Sequence, residues 1–203
     1  MDGKGPLGTT GKSVGFPYHR GMSIFNPILA IAATSLWLAG PVAAQTAELD
    51  DLHERLTTAE PAEAEGLRRQ IQSRWSQSGS AAMDLLLRRA EEALQDGDTE
   101  TAITHFSALI DHAPDFAAGY NGRATAYYGD GRLGLALADL QQVLRLNPRQ
   151  FNALSGLAII LRRLDRPAES LEVYREVARI APHIDGLDEA IDQLSIELDG
   201  TAL

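Results

Sequence analysis

The sequence predicts an all-α solenoid: a stack of antiparallel helix hairpins with a degenerate hairpin before it and a capping helix after it. Two observations predict this. Pro114, Pro148 and Pro182 recur every 34 residues, each closing a segment with the same order of apolar and small residues. A fixed period of this length marks a repeat array, in which one hairpin cannot bury its apolar face alone and stacks on the next. Between these prolines, Gly and Pro cut the chain into helices of about a dozen residues.

Residues 1–44 stand apart from the array. An apolar run from Ile24 to Leu38 is broken by Gly40-Pro41 and followed by the small residues Val42-Ala43-Ala44. That order predicts a secretory signal peptide with cleavage after Ala44. The run falls short of the roughly 20 apolar residues that a spanning helix needs, so an uncleaved membrane anchor is the alternative. Met1 and Met22 both remain possible starts: Met1 places Lys4, Lys12 and Arg20 before the run, whereas Met22 leaves it without a basic flank. With no cysteine in the chain, a lipid anchor on a cysteine after the cleavage site is excluded.

Residues 45–80 form the N-terminal hairpin. Leu49, Leu52 and Leu56 share one face of a helix over Ala47–Ala59, and Leu67, Ile71 and Trp75 continue at helical spacing over Pro61–Trp75. Ser76-Gln77-Ser78-Gly79-Ser80 then breaks the pattern. This hairpin is expected to pack on the first repeat, and an exposed Trp75 would instead offer a dimer surface; the oligomeric state stays open.

Three repeats fill 81–182, at about 83–116, 117–150 and 151–184. The first pairs Ala81–Gln95 with Thr99–His112 across Asp96-Gly97-Asp98. The second pairs Phe116–Gly129 with Leu133–Leu146 across Asp130-Gly131-Arg132. The third pairs Phe151–Leu164 with Pro167–Ile180 across Asp165-Arg166, with Pro167 suited to the first turn of its helix. Residues 184–203 complete the chain. Leu187, Ile191, Leu194 and Leu198 against Asp185, Asp188, Glu189, Asp192 and Glu197 make the one-sided helix that an array needs at its end.

The places inside each hairpin carry a family signature. The first repeat has Leu86, Ala90, Ala93, Ala102, Phe106, Leu109 and Pro114. The second has Tyr120, Ala124, Tyr127, Ala136, Leu140, Val143 and Pro148, and the third has Leu154, Ala158, Leu161, Ser170, Tyr174, Val177 and Pro182. Ala93 stands where an aromatic is usual, and Ser170 where Ala is usual. This pattern resembles the tetratricopeptide repeat (TPR) family, and most of all its small periplasmic members from alphaproteobacteria. The resemblance covers about half of the chain. It implies a superhelix whose first (A) helices line a concave face, and a binding scaffold rather than an enzyme.

Transferring the family's inward positions gives Asp84, Leu87 and Glu91 in the first repeat. The second supplies Asn121, Thr125 and Tyr128, and the third supplies Asn152, Ser155, Ile159 and Arg162. Tyr128 and Arg162 are the expected anchors for an extended peptide, since Tyr and Arg dominate interface hot spots. One TPR subtype grips a terminal carboxylate with Lys, Arg and Asn. Its positions hold Leu87, Glu91, Gly122, Asn152 and Gly156 here, without a single cation, so that mode of binding is not expected.

No catalytic, cofactor or metal site is expected. His105 and His112 lie seven apart on one helix, about 10.5 Å along its axis, too far to share a metal. Asp96-Gly97-Asp98 with Glu100 lacks the ordered ligand series of a calcium loop and reads as a turn with Asp98 capping the next helix. The net charge is −10, and Lys4, Lys12 and Arg20 against Asp2 leave residues 45–203 at −12. Such acidity argues against nucleic acid as the partner, and a membrane enters only if the leader stays uncleaved. The Ala/Arg-rich, Lys-poor composition and the leader point to a Gram-negative bacterium. The expected role is a periplasmic adaptor for a protein or peptide partner; a membrane-anchored assembly factor for an envelope complex is the alternative.

Overall fold

The computed structural model describes residues 41–201, and among them every regular element is a helix. The apolar run at 24–38 lies outside the described residues. In order the helices are α1 (Pro41–Thr58), α2 (Pro61–Trp75), α3 (Ala81–Gln95), α4 (Thr99–His112), α5 (Ala117–Gly129), α6 (Leu133–Leu146), α7 (Phe151–Arg163), α8 (Pro167–Ile180) and α9 (Leu187–Thr201). α1 begins six residues before the expected Ala47, so the Ala44–Gln45 bond lies inside this helix, near its start. None of these helices is long and apolar enough to cross a membrane.

The three repeats are α3–α4, α5–α6 and α7–α8, each α-hairpin packed on the next. Their internal turns share one solution. Gly97, Gly131 and Asp165, spaced by the repeat period, all have positive φ, at 79°, 73° and 58°. The following N–H groups of Asp98, Arg132 and Arg166 reach back to the carbonyls of Ala93, Tyr127 and Leu161 at 2.9, 2.8 and 3.0 Å. That is the helix-ending motif in which a left-handed residue turns the chain so that orphan carbonyls are satisfied. Asp98 also accepts a bond from the Thr101 N–H at 3.1 Å, the cap expected for α4. Pro167 occupies the first turn of α8.

Ala90, Ala124 and Ala158 are buried at 0%, 2% and 0% exposure, which lets each B helix lie close on its A helix. Phe106, Leu109, Val143 and Val177 fill the space between them, all fully buried. Ser170 donates its hydroxyl to the Ala158 carbonyl at 2.8 Å, so the departure from Ala at that place is satisfied within the core. A polar staple holds the middle of the stack. Arg123 of α5 makes a two-pronged ion pair with Asp139 of α6, both bonds 2.8 Å, and reaches Ser107 of α4 at 3.0 Å.

The N-terminal hairpin corrects one expectation. It packs on the third repeat, not the first. Leu52, Leu56, Ala64, Leu67 and Ile71 share one core with Phe151, Leu154, Val177, Ile180 and Leu187. Trp75 lies against Phe151, ring centroids 4.9 Å apart, and Arg68 donates to the His183 carbonyl at 2.9 Å. Arg149 pairs with Asp50 across the same junction. The linker makes this possible: Ser78 donates its N–H and hydroxyl to Asp84 Oδ1 at 2.8 and 2.6 Å, and Gly79 has φ 79°, so α2 leaves α3 instead of lying along it.

At the other end, α9 begins three residues later than the expected Ile184. His183 and Gly186 have φ of 63° and 75°, and the Leu187 N–H bonds the Ile184 carbonyl at 3.0 Å, forming a turn that delays the helix. Leu187 and Leu194 are buried, while Ile196 is 72% exposed on the outer side.

Candidate functional site

Six of the ten transferred positions meet in one groove. Asn121, Thr125 and Tyr128 come from α5, and Asn152, Ser155 and Ile159 come from α7. Their spacings of three, four and seven place each set on one face of its helix. The groove holds about 460 Å³, and Ala124, Leu140, Gly156, Ile160 and Ile184 complete its lining. Small residues at Ala124 and Gly156 deepen it. Ile159 is 40% exposed although strongly apolar, so the groove offers a wettable but hydrophobic contact. Amides and hydroxyls along the walls supply donors and acceptors of the kind an extended backbone needs.

The other four positions are placed differently. Leu87 is 3% exposed and belongs to the first repeat's core, with Ala90, Phe106 and Ala118, so it presents no surface to a partner. Asp84 is engaged by Ser78, which holds its carboxyl below the usual range. Glu91 faces a smaller recess that also takes in Asn121 and Asn152. Arg162 is exposed beside Tyr174, whose phenol is pushed up by burial while the Arg162 charge opposes that rise.

The cation that meets Tyr128 is Arg163, its guanidinium carbon 5.1 Å from the ring centre. Arg162 is the repeat equivalent of Tyr128, one hairpin further on; the next residue leans back over the previous repeat's ring. Period alone identifies equivalent places and misses this contact between neighbouring repeats. Gln72 and Trp75, which border the recess with Glu91, were also out of reach of pattern reading, because they arrive there only through the docking of α2, beside Gln150 at the start of α7.

Gly122 explains the missing carboxylate grip. A Cβ built there would lie 2.1 Å from Phe106 Cε1, so the Asn of that subtype has no room at this place.

Comparison with known proteins agrees with the geometry. The family model described as tetratricopeptide repeat matches residues 87–141 and 122–183. A TPR repeat-containing protein of Rhizobium etli is 30% identical over 153 residues, covering 75% of each chain. Among solved structures, the TPR2B domain of yeast Sti1 in complex with pHsp70 superposes with a TM-score of 0.53 at 20% identity, over 58% of this chain and 99% of that one. The first TPR of Spaghetti (RPAP3), bound to an HSP90 peptide, gives 0.55 at 20% identity, over 58% and 93%.

Proposed function

The chain belongs to the tetratricopeptide repeat family, and we propose that it is a non-enzymatic adaptor of the bacterial periplasm that holds an extended segment of a partner protein along its concave face. One observation carries the reading: the groove that joins Asn121, Thr125 and Tyr128 to Asn152, Ser155 and Ile159 across two A helices. Its extent over two repeats suits an extended segment, and its mixed walls suit backbone recognition with one apolar anchor. The Sti1 domain is seen in a pHsp70 complex and the RPAP3 domain with an HSP90 peptide; both share the fold, and that supports a peptide ligand here. The absence of cations at the carboxylate-gripping positions separates this groove from one made for a terminal carboxylate.

The test is a photo-crosslinking residue placed at Ser155 of the full chain in its native host, beside the same residue placed at exposed Arg145 of α6. A discrete protein adduct from the groove position alone is the expected result. Equal adducts from both positions, or none from Ser155, would overturn the reading. Location is tested separately by fractionation and N-terminal sequencing: a soluble periplasmic form beginning at Gln45 is expected, and a membrane-bound form retaining residues 24–38 would favour the anchored assembly factor.

A further inference from the structure

A second recess, of about 220 Å³, adjoins the groove and shares Asn121 and Asn152 with it. It lies where the C-terminal end of α2 meets α3, α5 and the start of α7, and Glu91, Gln150, Gln72 and Trp75 border it. Gln150 is 3% exposed, yet its Oε1 is buried with no hydrogen-bond partner, and Trp75 Nε1 is buried and unpaired as well. Native proteins rarely leave a buried amide without a partner, and Gln150 belongs to the lining of this recess. Glu91 adds a carboxylate on the same recess; burial raises its pKa, with Arg88 one turn back opposing the rise.

We propose that this recess receives one basic side chain, a guanidinium or an ammonium, from the partner segment whose neighbouring apolar side chain sits in the groove. The inference rests on the groove reading above. The chemistry is selective in three ways. The Glu91 carboxylate and the amide oxygens of Asn121, Asn152 and Gln150 favour a donor that carries positive charge, and a charged donor makes the stronger bond. The volume is smaller than the roughly 300 Å³ at which whole-ligand pockets begin, so it suits a single side chain. Glu91 is the only carboxylate on the recess, and among the described residues no three His, Asp or Glu side chains gather as they would to hold a metal ion. The chain's net charge of −10 also favours the approach of a basic segment.

The experiment titrates the full chain with labelled heptapeptides, each carrying one arginine and one leucine at separations of one to four residues. Each peptide is paired with a counterpart in which citrulline, of the same shape without the charge, replaces arginine. At least one arginine peptide is expected to bind about tenfold or more tightly than its citrulline partner. Glu91→Gln should erase that ratio, with a thermal melt confirming the fold, and Tyr128→Ala should weaken both members of the pair. Equal binding of arginine and citrulline peptides, a ratio untouched by Glu91→Gln, or no binding by any peptide would overturn the recess. If both members weaken with Tyr128→Ala but never differ from each other, the groove reading stands and this inference falls. A ratio that depends on Glu91 while Tyr128→Ala changes nothing would support the recess and overturn the groove.

Discussion

Gly122 of α5 lies directly under the ring of Phe106 of α4, close enough that a Cβ would sit 2.1, 2.3 and 2.8 Å from three of its ring carbons. Phe106 is fully buried, so the ring has nowhere to retreat. Gly156 occupies the equivalent place one repeat on, beneath Leu140, where the nearest atom would be 3.4 Å away. Gly122→Ala should therefore destabilise the domain by about 1–3 kcal/mol through overpacking. Gly156→Ala should be neutral or stabilising, by up to about 1 kcal/mol from helix propensity. Urea denaturation of both variants checks the contrast, and equal losses would contradict the steric account.

Asp165 holds the left-handed turn position that Gly97 and Gly131 hold in the other repeats. Only glycine enters that region without strain, although Asp tolerates it better than most residues. Asp165→Gly is expected to raise stability, by less than the roughly 1–2 kcal/mol that a left-handed conformation costs an ordinary L-residue. Asp165→Val should lower it, since a β-branched residue is a genuine outlier there. The shift in urea midpoint has opposite signs in the two variants if the turn geometry is right.

The Arg123–Asp139 pair is largely sequestered, with side chains 20% and 9% exposed, and Arg123 also lies 5.9 and 5.7 Å from the ring centres of Tyr120 and Tyr127. Removing one partner strands the other charge. Arg123→Ala should therefore destabilise by about 3–5 kcal/mol. A double-mutant cycle with Asp139→Ala should return a coupling above about 1 kcal/mol. A coupling near zero would mean that solvent, not the partner, satisfies these groups.

His53 is 2% exposed, tilted against Trp75 at 5.6 Å, and neither ring nitrogen has a partner. Burial, and then the Arg149 charge, lower its pKa from 6.5 to about 4, with Asp50 pulling the other way. The unfolded chain thus takes up a proton at higher pH than the folded one. Stability should be intact at pH 8 and fall as the pH drops from about 6.5 toward 4, by about 1.4 kcal/mol at pH 5.5. His53→Phe should flatten that part of the profile. Amide exchange should show the loss first in α1 and α2, where the hairpin is held.

Within the repeats, the sequence carried most of the fold, because each hairpin is made by local patterns. Helix ends were written in Gly97, Gly131 and Pro167, and close packing in Ala90, Ala124 and Ala158. Phe116, read as the first helical residue, is the cap of α5 instead, a shift of one. The rest depends on contacts between distant segments. The stripe of Leu52, Leu56, Leu67 and Ile71 announces a buried face, but nothing in that pattern names Phe151 and Val177 as what it is buried against. Leu87 fails as a surface residue for the same reason: its inward position is right by period, and its neighbours in the first core close over it.

An open solenoid can gain or lose a unit with little consequence, since each repeat touches only its neighbours. The N-terminal hairpin removes that freedom. Its helices rest on α7 and α8 while the five-residue linker 76–80, which spans at most about 18 Å, returns the chain to α3. An inserted repeat would carry Phe151 away from Trp75 by two further helix layers, each about 8–10 Å thick. A deleted one would crowd the linker and shift every partner of α2. The hairpin is in this sense a gauge, fitted to an array of one length.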